Sequence, residues 1–228
     1  MSFIIAIDGP AGSGKGTITK RVANKIDFLR LDTGALYRCL TLEVIRNKIE
    51  INDIPKMTDI VRNMKIEFVP NEDMDELDYV FLNKENVTKE IRSNEVNNII
   101  SVISSIKEVR NEMLQIQRNI AKEKNTIMEG RDIGTVVFPN ADLKIYLNAD
   151  IEERARRRYK ENMEKGISTT YEEVLQILKN RDKIDMEREV APLKKAEDAI
   201  EIDSTNMSIE EVVDKVVELY YNKFKKLK

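Results

Sequence analysis

The sequence contains no histidine and no tryptophan, and only one cysteine, eight glycines and five prolines in 228 residues. Without histidine there is no Ser-His-Asp triad, no imidazole base and no His-ligated metal centre. Cys39 alone can form neither an internal disulfide nor a Cys-rich zinc site. It reads as a small packed thiol, since nothing around it in sequence would lower its pKa. Glycine and proline together stand at about half their ordinary usage, so the elements should be long and the loops few. No apolar run approaches the length of a membrane-spanning helix. The apolar start at residues 3–7 is cut by Asp8 and has no basic stretch before it, so no signal peptide is expected. The expectation is a cytoplasmic protein with no membrane partner.

Charge of either sign is not in excess: 38 Lys and Arg stand against 41 Asp and Glu, a net −3. That balance argues against a nucleic-acid coat. With 41% hydrophobic residues it also excludes the disordered class. Chemistry is left to lysine, arginine, carboxylates, hydroxyls and backbone.

Five short apolar runs, at residues 3–7, 28–31, 126–129, 143–147 and 200–203, read as strands covered on both faces. Helical patterns lie between them, at residues 17–26, 36–46, 109–122 and 151–165. Capping boxes at Thr170/Glu173 and Ser208/Glu211 open two more helices. Strands alternating with helices predict an α/β fold with a parallel sheet. One segment breaks the rhythm: residues 64–69 and 79–82 suggest a hairpin, 86–88 a third strand and 93–106 a helix. It reads as a small inserted lobe of one elaborated domain.

After the first strand come Gly9, Pro10, Ala11, Gly12, Ser13, Gly14 and Lys15, the pattern G-x-x-x-x-G-K in strand–loop–helix context. Such a loop wraps a polyphosphate with successive N–H groups and a helix N-terminus, and Lys15 adds a full charge. Gly16 stands where the general motif has Ser or Thr, and Thr17 follows one residue later. Mg²⁺ is therefore expected to be held mostly by the phosphates of a bound nucleotide and by water, and no dedicated protein metal site is expected.

A second run, residues 31–38, ends the second strand, where ligands of such sheets bind. Asp32 or Thr33 could equally be a helix cap. Arg38, one turn into the helix, gains nothing from the helix dipole there and is better explained by an anionic partner. The third run, Glu129 to Thr135, brackets Arg131 and Asp132 between glycines; a local Arg–Asp pair is the alternative. Arg154, Arg156, Arg157 and Arg158 crowd one and a half helical turns. Glu152–Arg156 and Glu153–Arg157 are i,i+4 pairs, which leaves Arg154 and Arg158 free of acidic partners at that spacing within the helix. A solvated face would also account for the cluster. Arg181, Asp185 and Arg188, at i, i+4 and i+7, predict one helical face able to grip phosphate or read a base edge; a surface ion network is the alternative. Arg38, Arg110, Arg131, Arg181 and Arg188 exceed what one triphosphate needs. They suit two phosphorylated ligands between which a phosphoryl group passes.

Residues 9–17, 31–38, 129–139 (EGRDIGTVVFP) and 181–193 (RDKIDMEREVAPL) resemble the bacterial cytidylate kinases, members of the nucleoside monophosphate kinases, over essentially the whole chain. The resemblance implies a three-layer P-loop core with a five-stranded parallel sheet over residues 1–62, 107–150 and 167–228. It also implies a monophosphate-binding α+β lobe at 63–106 and a short helical lid at 151–166. The implied activity is ATP-dependent phosphorylation of CMP and dCMP to the diphosphates. By motif match, residues 9–17 hold ATP with Arg154, Arg157 and Arg158 closing on that side. Thr33, Tyr37, Arg38, Ser101, Arg110, Arg131, Asp132, Arg181, Asp185 and Arg188 surround the monophosphate. Lys15, Arg131, Arg181 and Arg188 serve catalysis, while Ser101, Asp185 and Arg188 read the cytosine edge. The partners implied are these small molecules alone, with no nucleic acid, for a monomer. The rivals are a UMP or AMP kinase, or a nucleotide switch. A switch finds support only in Asn24-Lys25-Ile26-Asp27, a guanine-reading pattern that falls inside a helix away from any base site.

Overall fold

The computed structural model describes residues 2–74, 76–122, 124–164 and 166–225; Lys165, at the end of the expected helix 151–165, lies outside them. In chain order the described residues form β1 (Ile4–Asp8), α1 (Lys15–Ile26), β2 (Leu29–Asp32), α2 (Thr33–Arg46) and α3 (Ile54–Asn63). Next come β3 (Ile66–Val69), β4 (Tyr79–Leu82), β5 (Glu85–Asn86), α4 (Asn94–Ile103) and α5 (Lys107–Ile120). The chain continues with β6 (Thr126–Gly130), β7 (Leu143–Asn148), α6 (Ile151–Glu164), α7 (Tyr171–Glu187), β8 (Ile200–Asp203) and α8 (Ile209–Lys225). All five runs expected as core strands are strands. No helix among the described residues is long and apolar enough to cross a membrane.

The chain divides into residues 1–30 with 124–228, and residues 31–123; the division falls within β2. The five-stranded parallel sheet has the order β2-β6-β1-β7-β8. β1 is central, with β6 on one side and β7 on the other, so the topology reverses at its carboxyl end. In the first unit Ile5, Ile7, Ile127, Leu143, Ile145 and Leu147 of the sheet meet Ile18 and Val22 of α1 and Val212, Val213 and Val216 of α8. Burial on both faces explains why these strands read as nearly continuous apolar runs. Edge-to-face contacts of Phe3 with Phe28 and Tyr220 close the far end of this core. Both capping boxes form: Thr170 and Glu173 bond reciprocally at the start of α7, as do Ser208 and Glu211 before α8.

The second unit holds the expected 63–106 segment together with α2, α3 and α5. Its antiparallel sheet runs β3-β4-β5. Its core gathers Leu36 and Leu40, Met57 and Val61, Leu82, Ile91, Ile100, Ile103, Val109 and Met113. Helix α3 was not anticipated. Its signal is Asp53, whose carboxylate accepts the Lys56 N–H, followed by Pro55 in the first turn.

Candidate active site

Residues 9–14 join β1 to α1 at the topological reversal. Burial allows no side chain at Gly9, where a Cβ would stand 2.0 Å from the Leu147 carbonyl oxygen. Gly14 caps α1 with φ 85°, a left-handed conformation favoured by glycine, and gives the helix no side-chain cap. The first N–H groups of α1 therefore face the loop interior without a capping oxygen. Lys15 is buried, and its ammonium donates to the Pro10 carbonyl at 2.7 Å and the Ser13 hydroxyl at 3.2 Å. Burial holds its pKa well below the ordinary lysine value, and the guanidinium charges of Arg131 and Arg181 push the same way.

The turn after β6 is a π-helical turn, Ile133–Val137, where the sequence suggested a loop. Asp8, the last residue of β1, sets its start: the two carboxylate oxygens accept the N–H groups of Ile133 and Gly134, each at 2.7 Å. Burial raises the Asp8 pKa to about 6, against the opposing effect of those two hydrogen bonds. A charged residue closing an apolar strand was the available signal for it. With an unfolded value near 3.8 and a folded one near 6, the folded state holds this proton more tightly. The stabilisation is full below about pH 4 and is lost as pH rises through about 6, on the order of 3 kcal/mol in all. Thermal melts between pH 4.5 and 7.5 should therefore show a loss of midpoint with rising pH that is absent in Asp8→Asn. Equal pH dependence in both proteins would remove Asp8 as its source.

Arg131 and Asp132 do not face each other as a local pair. Arg131 donates from Nε to Asp185 at 2.8 Å, and Asp132 lies 3.6 Å from the Arg188 guanidinium. Arg188 is also 3.9 Å from Asp185 and donates to the Ala191 carbonyl at 2.7 Å. These four side chains form one alternating cluster, in which both carboxylates are buried and both arginines partly so. The single helical face expected for Arg181, Asp185 and Arg188 needs correction, because α7 ends at Glu187 and Arg188 is its extended cap. The Leu193 N–H takes the Asp185 carbonyl at 2.7 Å, which turns the chain back there. Arg188 still reaches the cluster, from a cap rather than from a helical turn. Burial pushes the Asp185 carboxyl up, but Arg131, Arg181 and Arg188 together hold it below the usual carboxylate range.

The arginines of α6 also need correction. Arg154, expected to lack an acidic partner, is buried and ion-paired with Asp182 of α7 at 2.6 Å. That partner is 28 residues away, beyond any helical spacing rule. Arg156 pairs with Glu153, as does Arg157 at 3.0 Å. Arg157 donates further to the Ser204 carbonyl at 2.6 Å, and Arg158 bonds Glu161 at 2.9 Å. Sequence reading also gave no role to Glu129, which accepts from Arg30 at 2.7 Å and Thr19 at 2.9 Å.

In the second unit Thr33 and Tyr37 are buried on α2, and the Tyr37 ring lies under the Arg110 guanidinium at 5.5 Å. Arg110 donates to the Ser104 carbonyl, and Ser104 Oγ to the carbonyl of Ser101. Arg38 is held by the Ile91 carbonyl and the Asn97 side chain. Asp32 caps α2 through the Ala35 N–H, so the capping reading of this run holds. Cys39 is fully buried and its thiol is pushed up to about 12 by burial, which fits a packed residue.

The family model described as cytidylate kinase matches residues 5–222. The cytidylate kinase of Fusobacterium nucleatum subsp. nucleatum is 47% identical over 213 residues, covering 93% of this chain and 94% of that protein. That of Geobacillus sp. (strain WCH70) is 48% identical over 215 residues, covering 94% and 95%. A solved structure of an uncharacterized protein from Eubacterium ventriosum is 12% identical with a TM-score of 0.51, covering 96% of this chain and 98% of that one. It speaks for the fold alone.

Proposed function

The chain belongs to the cytidylate kinase family, and from that premise we propose that it phosphorylates CMP and dCMP with ATP, giving CDP or dCDP and ADP. The observation that carries the reading is the cluster of Arg131, Asp132, Asp185 and Arg188 on the same unit as the phosphate loop. One ATP is accounted for by residues 9–17; the extra guanidinium groups suit a second phosphate.

An oxygen of the acceptor phosphate attacks the γ-phosphorus of ATP, and the bond from that phosphorus to the ADP oxygen breaks. The acceptor's second pKa is near 6, so it is largely ionised at neutral pH. No general base is required, which fits a chain without histidine. The protein's task is positioning and charge stabilisation. Lys15 serves the transferring phosphoryl group; Arg131, Arg181 and Arg188 serve the acceptor phosphate and the developing charge. Asp132, Asp185 and Arg188, and by the family resemblance Thr33, Tyr37, Arg38, Ser101 and Arg110, are proposed for the acceptor nucleotide. Arg157 and Arg158, both partly exposed on α6, are proposed for the ATP side of a lid at 151–166.

Mg²⁺ bound with ATP would supply charge neutralisation to the phosphates. Phosphates and water would supply most of its ligands. The Glu129 carboxylate lies 3.7 Å from the position of a Cβ on Gly16. That carboxylate is ion-paired with Arg30, whose Nη2 lies 3.5 Å from the same position, so it would have to share its oxygens between the guanidinium and the ion. ADP release with Mg-ATP should be fast with CMP and dCMP and weak with UMP, AMP and GMP. A preference for another base would keep the kinase and discard the cytosine reading. Binding of ATP without turnover of any acceptor would favour a nucleotide switch.

A further inference from the structure

Ala11, the third residue of the phosphate loop, is held by both of its backbone polar groups. Its N–H donates to Asp182 Oδ1 at 3.3 Å, and its carbonyl accepts from Arg154 Nη1 at 2.9 Å. The same Nη1 donates to Asp182 Oδ2 at 2.6 Å, and Arg154 Nε donates to the Ala149 carbonyl at 2.9 Å. The Arg154 and Asp182 residues are 5% and 6% exposed, so the pair is fully inside the protein. Ala155, Val174 and Leu178 surround Ala11, and the Arg154 Cβ would lie 3.4 Å from a Cβ on Gly12.

A buried ion pair is costly to desolvate and is often replaceable by apolar side chains without loss of stability. Stability alone is therefore a poor account of this one. An apolar filling could complete the Ala11, Ala155, Val174 and Leu178 cluster, but it could not hold the two peptide groups on either side of Ala11, one by its N–H and the other by its carbonyl. We propose that the Arg154–Asp182 pair is a positioning device for the phosphate loop, which fixes the peptide groups flanking Ala11 in the conformation that receives the donor nucleotide. Arg154 acts through the loop backbone, and Asp182 carries the information from α7. Asp182 is the residue after Arg181 and lies three before Asp185. One helix thus holds the donor loop and presents the acceptor-side residues. This inference rests on the kinase reading above.

Two measurements test it on the full chain. In the parent protein without nucleotide, the Ala11 amide should exchange with solvent at least about tenfold more slowly than the Gly12 and Gly14 amides, as a bonded buried N–H does. Exchange at the same rate as those neighbours would overturn the proposal, whatever any variant does. Second, Arg154→Lys keeps the charge but loses the fork that serves two carbonyls and a carboxylate. Its ATP dissociation constant, measured by calorimetry without CMP, should rise about tenfold. The KM for CMP should stay within about twofold, a split that a general loss of stability does not produce. The paired replacement Arg154→Met with Asp182→Leu removes the buried charges and should leave ATP binding weak even where the melting temperature is restored. Parent-like ATP affinity in either folded variant would overturn the device. Parent protein that binds ATP but turns over no CMP would instead overturn the kinase reading and leave the ATP arm intact.

Discussion

Lys15→Met should lower kcat for CMP phosphorylation by about 10³-fold or more, with any acceptor and with the fold intact. Methionine keeps the length of the stem and removes only the charge. The loss is the scale expected when a charge-stabilising donor is taken from a phosphoryl-transfer site. The ammonium donates to the loop's own oxygens, the Pro10 carbonyl and the Ser13 hydroxyl. Burial, with the charges of Arg131 and Arg181, depresses its proton affinity there. Polyphosphate oxygens would reverse that setting by placing negative charge beside the lysine. The sign follows: a lysine pKa that rises on binding draws in a proton, and more so as the solution becomes alkaline. Calorimetry of ATP binding in buffers of differing ionisation heat should detect this uptake in the parent and not in Lys15→Met. A variant retaining kcat within tenfold of the parent would remove Lys15 from the transfer step.

The strands were legible because burial on both faces writes itself into the sequence as near-continuous apolar runs, at Ile4–Ile7 above all. The phosphate loop was legible because its chemistry is local: a few glycines and one lysine at fixed spacing. What stayed hidden is held together across the chain. The π-helical turn at Ile133–Val137 takes its start from Asp8, 125 residues earlier, so residues 129–135 read only as a glycine-bracketed loop. The partner of Arg154 comes from α7, and a rule that searches i±4 along α6 cannot find Asp182. Arg131 and Asp132 are neighbours in sequence whose charges are answered by Asp185 and Arg188 instead. Helix α3 is a different kind of miss. Its cap, its proline and the apolar Ile54, Met57 and Val61 at i, i+3 and i+7 are all local signals, legible without any distant partner.

Asp185→Asn should lower kcat/KM for CMP by about 10²- to 10³-fold while changing the ATP dissociation constant by less than about threefold. The carboxylate is 4% exposed, accepts from Arg131 Nε at 2.8 Å and lies 3.9 Å from Arg188. Burial alone would push its pKa up, yet the cations of Arg131, Arg181 and Arg188 more than offset that and hold it low. An asparagine of the same size leaves those guanidinium groups without their shared counter-charge, at a cost of about 2–5 kcal/mol for a buried charged pair. It should also blur base choice. A carboxylate only accepts hydrogen bonds and suits the exocyclic amine of cytosine, whereas an amide offers a donor that suits the uracil oxygen as well. The ratio of CMP to UMP turnover should therefore fall by about tenfold or more, beyond the common loss. Stability gives an independent reading. The depressed carboxyl contributes stability that is present above the unfolded value near 4 and is lost as pH falls through the lower folded value. Acid melts of the parent should show this loss below pH 4 and those of Asp185→Asn should not. Equal losses on CMP and UMP, with the acid limb removed, would leave Asp185 as a structural counter-ion and transfer the reading of the base to another residue.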